Sequence, residues 1–232
     1  LIIFELQEYS VSRNGSKTEF YHNVTENPQP ASQPAVLVFL KAPHPGKVKT
    51  RLSRSIGADA ACEVYRRLAE TQLSRIPDAF ATEIHFAPAD AEDEMRAWLG
   101  DSRSYFPQAA GNLGRRLVEA TNDAFRRGAS EVLCAGGDCP GLGSDRFASA
   151  VAYLRAGAEI VLGPCEDGGY YLVAMRSPQP EIFRGIPWSS PETLAATRAK
   201  AKALGLEVAL LEELYDVDDA RDLERAQKDG LL

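Results

Sequence analysis

The sequence predicts an α/β fold with a mostly parallel central sheet, and three observations carry that expectation. Short apolar runs of strand length alternate with amphipathic stretches of helix length along most of the chain, the pattern of strands joined by helical crossovers. The first run, AVLVFLK at 35–41, is apolar almost throughout rather than at every second residue, which suits a strand buried on both faces. Two later runs end in glycine-rich acidic turns, AGGDCPGL at 135–142 and GPCEDGGYY at 163–171. Such turns place carboxylates beyond strand ends, where open α/β sheets bind ligands.

Residues 1–34 differ in character from the rest of the chain. LIIFELQEYS is apolar but shorter than the roughly 20 residues a membrane span needs, and it lacks the basic start and small-residue cleavage site of a signal peptide. The segment ends in the proline-rich NPQPASQP at 27–34, read as a linker. An N-terminal arm that docks on the body or on a neighbour is therefore expected, with the domain over 35–232. After the first strand, two prolines and Gly46 delay any helix until about Arg51. This loop gathers Lys41, Lys47, Lys49 and Arg51, a cationic set suited to phosphate, although neither G-x-x-x-x-G-K-[ST] nor G-x-G-x-x-G spacing is present.

Residues 58–75 read as a helix with Ala61, Val64, Tyr65 and Leu68 on one face. A strand over 81–87 and a helix over about 89–99 follow, the latter burying Met95, Trp98 and Leu99; Trp98 is read as core rather than a base-stacking platform. A short strand at 104–107 precedes a helix that Asn112 caps and Gly128 ends, with Leu113, Leu117, Ala120 and Ala124 on its buried side. An anion near its N-terminus would meet free N–H groups, with Arg115 or Arg116 in reach. Next come a strand ending at Ala135, a helix over 144–156 and strands over 158–164 and 170–175. Ser189-Ser190 before Pro191 read as the start of a helix that Gly205 ends. LEVALLEEL at 206–214 reads as a strand, and a last helix is capped by Asp218 or Asp219.

The chemistry concentrates at the two acidic turns and the basic loop. Asp138 follows two glycines, which admit a ligand close to the backbone, and its carboxylate suits a hard cation bridging phosphate oxygens. The same residues also suit a tight turn with no ligand. Asp167, beside Glu166, Gly168 and Gly169, suits a general base or a charge that orients an acceptor hydroxyl; a solvated hairpin turn is the alternative. A net charge of -7 over 232 residues argues against nucleic acid held on a basic face. The four cysteines, without C-x-x-C spacing, read as reduced thiols of a cytoplasmic protein. The three histidines are too scattered for a metal site, and each is assigned to a loop or the surface.

In order along the chain, KAPHPGKVKTRL at 41–52, NLGRRL at 112–117, GGDCPGL at 136–142, GPCEDGGYYLVA at 163–174, PWSSPETL at 187–194 and DVDDARDL at 216–223 resemble one bacterial family. It is DUF2064, the radical-SAM/selenodomain-associated glycosyltransferase-like proteins of the nucleotide-diphospho-sugar transferase superfamily. The resemblance implies a GT-A-like, Rossmann-related three-layer sandwich that binds a nucleoside diphosphate sugar with Mg2+ or Mn2+ and transfers the sugar to a small-molecule acceptor. It implies nucleotide contacts from Lys41, Pro43, Gly46, Lys49, Arg51, Gly114, Arg116, Gly137 and Asp138, with Lys49 and Arg51 neutralising phosphate. Glu166, Asp167, Gly168, Gly169, Tyr170 and Trp188 would face the acceptor or sugar, and Asp167 and Lys49 would be catalytic. Asp138 would bind the cation, with a second ligand from Asp216 or Asp218, of which Asp218 is the choice. No acid stands two residues before Asp138, so that turn carries no Asp-x-Asp. The same superfamily contains guanylyltransferases that take a nucleoside triphosphate and release pyrophosphate, and a nucleotide-sugar-binding module without turnover is the third expectation.

Overall fold

The computed structural model describes residues 32–232, and residues 32–232 form one compact unit. The expected arm falls on residues 1–31 and so lies outside the described residues. A seven-stranded sheet runs in the order β3-β2-β1-β4-β6-β5-β7. Its strands are β1 (Ala35–Lys41), β2 (Ala81–Ala87), β3 (Ser104–Pro107), β4 (Val132–Ala135), β5 (Ile160–Pro164), β6 (Tyr170–Met175) and β7 (Val208–Leu210). The helices are α1 (Thr50–Ile56), α2 (Ala58–Ser74), α3 (Glu92–Leu99), α4 (Leu113–Arg126), α5 (Ser144–Arg155), α6 (Thr193–Ala203) and α7 (Ala220–Lys228), with a 3-10 turn at Pro180–Phe183. Every pairing is parallel except those of β6, which runs against both β4 and β5.

Strand alternation sorts the core into two layers of contact. Val36, Val38 and Leu40 of β1 pack with Tyr65, Ala69 and Leu73 of α2, Met95 of α3 and Phe147 and Leu154 of α5. Ala35 and Leu37 face the other way, onto Leu117, Ala120 and Ala124 of α4 and Ala201 of α6. Helices thus cover both faces, giving the expected three layers. A smaller cluster joins Leu52 of α1, Ala61 and Leu68 of α2, Tyr215 and Val217 of the segment before α7, and Leu223 of α7.

The order β3-β2-β1-β4 means that the chain leaves β1 toward β2 and β3, then returns to β1's other side as β4. That reversal opens a crevice at the carboxyl ends of β1 and β4, the position where doubly wound sheets take ligands. The loops at 42–49 and 136–143 flank it. Because β6 is antiparallel, its amino end and the β5–β6 hairpin loop at 165–169 lie at the same end of the sheet.

Five local expectations are corrected. Leu113 is 41% exposed, and α4 buries Gly114, Leu117, Ala120, Thr121 and Ala124 instead; Leu113 follows the Asn112 cap directly and precedes the buried phase. Helix α6 starts at Thr193 rather than Pro191, because Ser189 adopts φ 60 and the Thr193 hydroxyl closes a turn on the Pro187 and Ser190 carbonyls. Strand β5 starts at Ile160 rather than 158, and α3 at Glu92 after a turn. His85 is buried, not on a loop: it stacks between Phe39 and Phe106 and hydrogen-bonds Glu83, which Arg127 also pairs.

Candidate active site at the carboxyl end of the sheet

Lys49 is the centre of the crevice. It is the last residue before α1 and adopts φ 44, ψ 47, a left-handed conformation that non-glycine residues seldom take. Its Nζ donates to Asp138 Oδ2 at 2.8 Å and to Asp218 Oδ1 at 3.0 Å, and its side chain is only 6% exposed. Burial works to lower the pKa of this ammonium, but the charges and hydrogen bonds of Asp138 and Asp218 outweigh it and hold the proton more tightly than usual. Arg51, on the exposed rim, donates to the other Asp218 oxygen at 3.2 Å.

Each acid is fixed by the fold around it. The Asp138 loop is held from α2, where Gln72 donates to the Gly136 carbonyl and Arg75 to the Pro140 carbonyl. The Val217 N–H donates to the Asp138 carbonyl at 3.0 Å, so segment 211–219 is tied directly to that loop. Asp219 caps α7 in a reciprocal box with Asp222, whose carboxylate also accepts from the Asp218 N–H at 2.9 Å. Leu52, Val217 and Leu223, packed in one cluster, keep the starts of α1 and α7 together.

Asp216, in the sequence only an alternative to Asp218, takes a different position. Its Oδ1 is buried without a hydrogen-bond partner. Burial first, and then the neighbouring Asp138 charge, push its carboxyl up to about 8. Among the described residues, no group of three or more His, Cys, Asp or Glu is arranged as a ready metal cage. The donor set nevertheless suits a hard cation: Asp138 and Asp218 already turn one oxygen each onto a common positive charge, and Asp216 adds an unsatisfied oxygen nearby.

The other sequence-nominated residues separate into groups. Lys41, at the end of β1, and Gly46 on the loop are exposed, while Pro43 is buried and its carbonyl accepts from Cys62. The Tyr65 hydroxyl, missed in the sequence, bonds both the N–H and the carbonyl of Lys41 and so pins the loop's start. Gly137 is also constrained by packing: a Cβ there would lie 2.4 Å from Leu40 Cδ2 and 3.4 Å from the Ala69 Cβ. Gly114 is buried likewise, its missing Cβ replaced by the Phe183 carbonyl at 2.6 Å and Trp188 Nε1 at 2.7 Å. Trp188 packs edge-on to Tyr170, and both join the cluster under α4 and α6. Arg116 reaches back to the Gly111 carbonyl and to Gln108.

At the hairpin, Glu166 is held in a two-pronged pair with Arg225 at 2.7 and 2.9 Å, and those hydrogen bonds keep its carboxyl below the usual range. Asp167 is exposed, with Oδ1 oriented by the Gly169 N–H at 2.8 Å. Gly168, at φ 86, lies against Pro191, whose carbonyl is 2.2 Å from where a Cβ would stand, and Gly169 closes the turn to the Cys165 N–H. The crevice thus brings together Lys49, Asp138, Asp218 and Arg51, with Asp216 beside them. Glu166, Gly114, Tyr170 and Trp188 are engaged in the protein's own contacts. Polar Gln72 within the apolar stripe of α2 was the one sequence signal pointing to the loop's anchor.

The profile of the DUF2064 family, described as an uncharacterized protein conserved in bacteria, matches residues 74–190. A crystal structure of a protein from Desulfovibrio desulfuricans G20, provisionally assigned as a nucleotide-diphospho-sugar transferase, is 33% identical. It superposes with a TM-score of 0.82 over 86% of this chain and 88% of that one. The inositol-1-phosphate CTP transferase from T. maritima shares the fold at 13% identity and a TM-score of 0.53, covering 88% of this chain and 96% of that one. The 4-diphosphocytidyl-2C-methyl-D-erythritol synthase from Anaerococcus prevotii DSM 20548 does so at 11% and 0.54, over 85% and 99%. No curated protein matches the chain.

Proposed function

The chain belongs to the DUF2064 family, and from that premise we propose that it is a transferase that binds a nucleoside diphosphate sugar in the β1/β4 crevice and moves the sugar to a small-molecule acceptor. The observation that carries this reading is the Lys49 cluster: one buried ammonium and one rim guanidinium converge with two carboxylates at the topological switch point. A diphosphate needs fixed positive groups and carboxylates able to share a cation, and the crevice supplies both.

In the proposed site, Lys49 and Arg51 lie against the donor's diphosphate and neutralise charge as it departs. Asp138 and Asp218, with Asp216, would hold Mg2+ or Mn2+, which when bound would stabilise the leaving diphosphate as a Lewis acid. Asp167 faces the acceptor. Its carboxylate, oriented by Gly169, aligns the attacking hydroxyl and accepts its proton. The relative from Desulfovibrio desulfuricans supports the donor class through its name and its identity to this chain.

One observation favours a second reading, nucleotidyl transfer from a nucleoside triphosphate. The paired acids, Asp138 and Asp218, come from two distant segments, and the chain's Asp216-Val217-Asp218 lies before the last helix rather than at the Asp138 turn. The leaving group separates the two. With Mn2+ and a panel of nucleotide sugars and nucleoside triphosphates, sugar transfer releases a nucleoside diphosphate, and nucleotidyl transfer releases pyrophosphate. Pyrophosphate from a triphosphate with no turnover of any nucleotide sugar would replace the first reading with the second.

A further inference from the structure

Lys49 is placed as an ion would be. Its ammonium lies between oxygens of two carboxylates from separate segments, the loop after β4 and the segment before α7, and its side chain is almost wholly covered. Two carboxylates against one ammonium leave a surplus of negative charge, which Arg51 offsets only from the exposed rim. Beside them, Asp216 keeps an oxygen buried with no hydrogen-bond partner, an acceptor that the lysine leaves unsatisfied. The backbone at Lys49 is left-handed although the residue is not glycine, and such a conformation persists only while surrounding contacts enforce it. Those contacts include the two ion pairs. Without them, the loop end that carries Lys49 can relax.

Building on the reading that Asp138 and Asp218 receive a divalent cation, we propose that Lys49 is the resident counterion of that pair and that the incoming cation displaces its ammonium toward the donor's diphosphate. Cation loading and phosphate capture are then one exchange. The dication takes the carboxylates and the released ammonium takes phosphate oxygens, so no charge is left buried without an opposite. The exchange also orders the events: the loop acquires its free cation for phosphate only once the metal is in place.

Lysine acylation of the native chain, read by peptide mass spectrometry, tests this directly. Lys49 should react slowly in EDTA, several-fold faster with Mn2+ alone, and slowly again when a nucleoside diphosphate is added to the Mn2+ complex. A second measurement is Mn2+ binding followed by electron paramagnetic resonance. Lys49→Met, which removes the competitor, should bind Mn2+ more tightly than wild type without nucleotide. A labelling rate indifferent to Mn2+, or equal or weaker Mn2+ binding by Lys49→Met, overturns the exchange. If Mn2+ binding is then still lost in Asp138→Asn, the cation reading stands without the exchange; Mn2+ binding by none of these proteins overturns both.

Discussion

Asp138 presents one oxygen to a buried ammonium across 2.8 Å, and its chemistry can be removed with almost no change of shape. Asp138→Asn should therefore lower cation-dependent nucleotide affinity by at least ~10-fold, equivalent to about 1.4 kcal/mol, when titrated calorimetrically with Mn2+; unchanged affinity would remove Asp138 from the site. Asp216 gives a prediction in pH. Its folded-state carboxyl is raised from 3.8 to about 8, so the folded chain binds a proton that the unfolded chain has released. Its contribution is fully present below the ordinary value of 3.8 and is lost as pH rises through about 8. Asp216→Asn, neutral at every pH, should lose less thermal stability than wild type between pH 5 and 9 in EDTA. At this scale the sequence disclosed residue types and places: Lys49 after the first strand and Asp138 after the fourth. It could not disclose that Asp216 is half-buried with its Oδ1 covered and unpartnered, because that depends on segment 211–219 folding back on Asp138 through the Val217 N–H.

Strand β1 and helix α2 close on the Asp138 loop together, since Leu40 of β1 and Ala69 of α2 occupy the space that a Gly137 side chain would need. Gly137→Ala should destabilise the fold by about 1–3 kcal/mol, the usual cost of an overpacked core, read as a lower urea midpoint at unchanged slope. A variant as stable as wild type would mean that β1 and α2 yield there. Strand and helix identities were legible because each period was sustained over several residues. The reversed direction of β6 was also open to reading: only five residues, 165–169, separate it from β5, too few for the crossover that parallel neighbours require. The start of α6 was not legible from Pro191, because the turn at 187–193 answers to its contact with Gly168 across the hairpin.

At the scale of the whole molecule, the crevice exists because the strand order reverses between β1 and β4, and loops from four places in the sequence meet there. Ligands that bind only this assembled form must stabilise the chain. Mn2+ with a matching nucleotide sugar at about 100 times its dissociation constant should add about 2.7 kcal/mol, a melting-temperature rise of about 5–10 °C for a domain of this size. Neither component alone should match that rise in a fluorescence melt, and the Asp138→Asn variant should show none of the Mn2+-dependent part. The layering was legible in the alternation of elements; the sheet order was not, because pairing partners are chosen by packing far apart in sequence.

The four free cysteines are all buried, and burial pushes the thiols of Cys134, Cys139 and Cys165 well above their ordinary range. Cys134 lies inside β4, whereas Cys139 and Cys165 each adjoin an acid of the crevice loops, Asp138 and Glu166. The chain therefore carries its own set of internal clocks. Timed alkylation of Cys134 counts molecules that have opened completely, and alkylation of Cys139 and Cys165 counts those whose loops alone have parted. A bound substrate that slows the second pair far more than the first would thereby reveal, with no added dye, which part of the protein it grips.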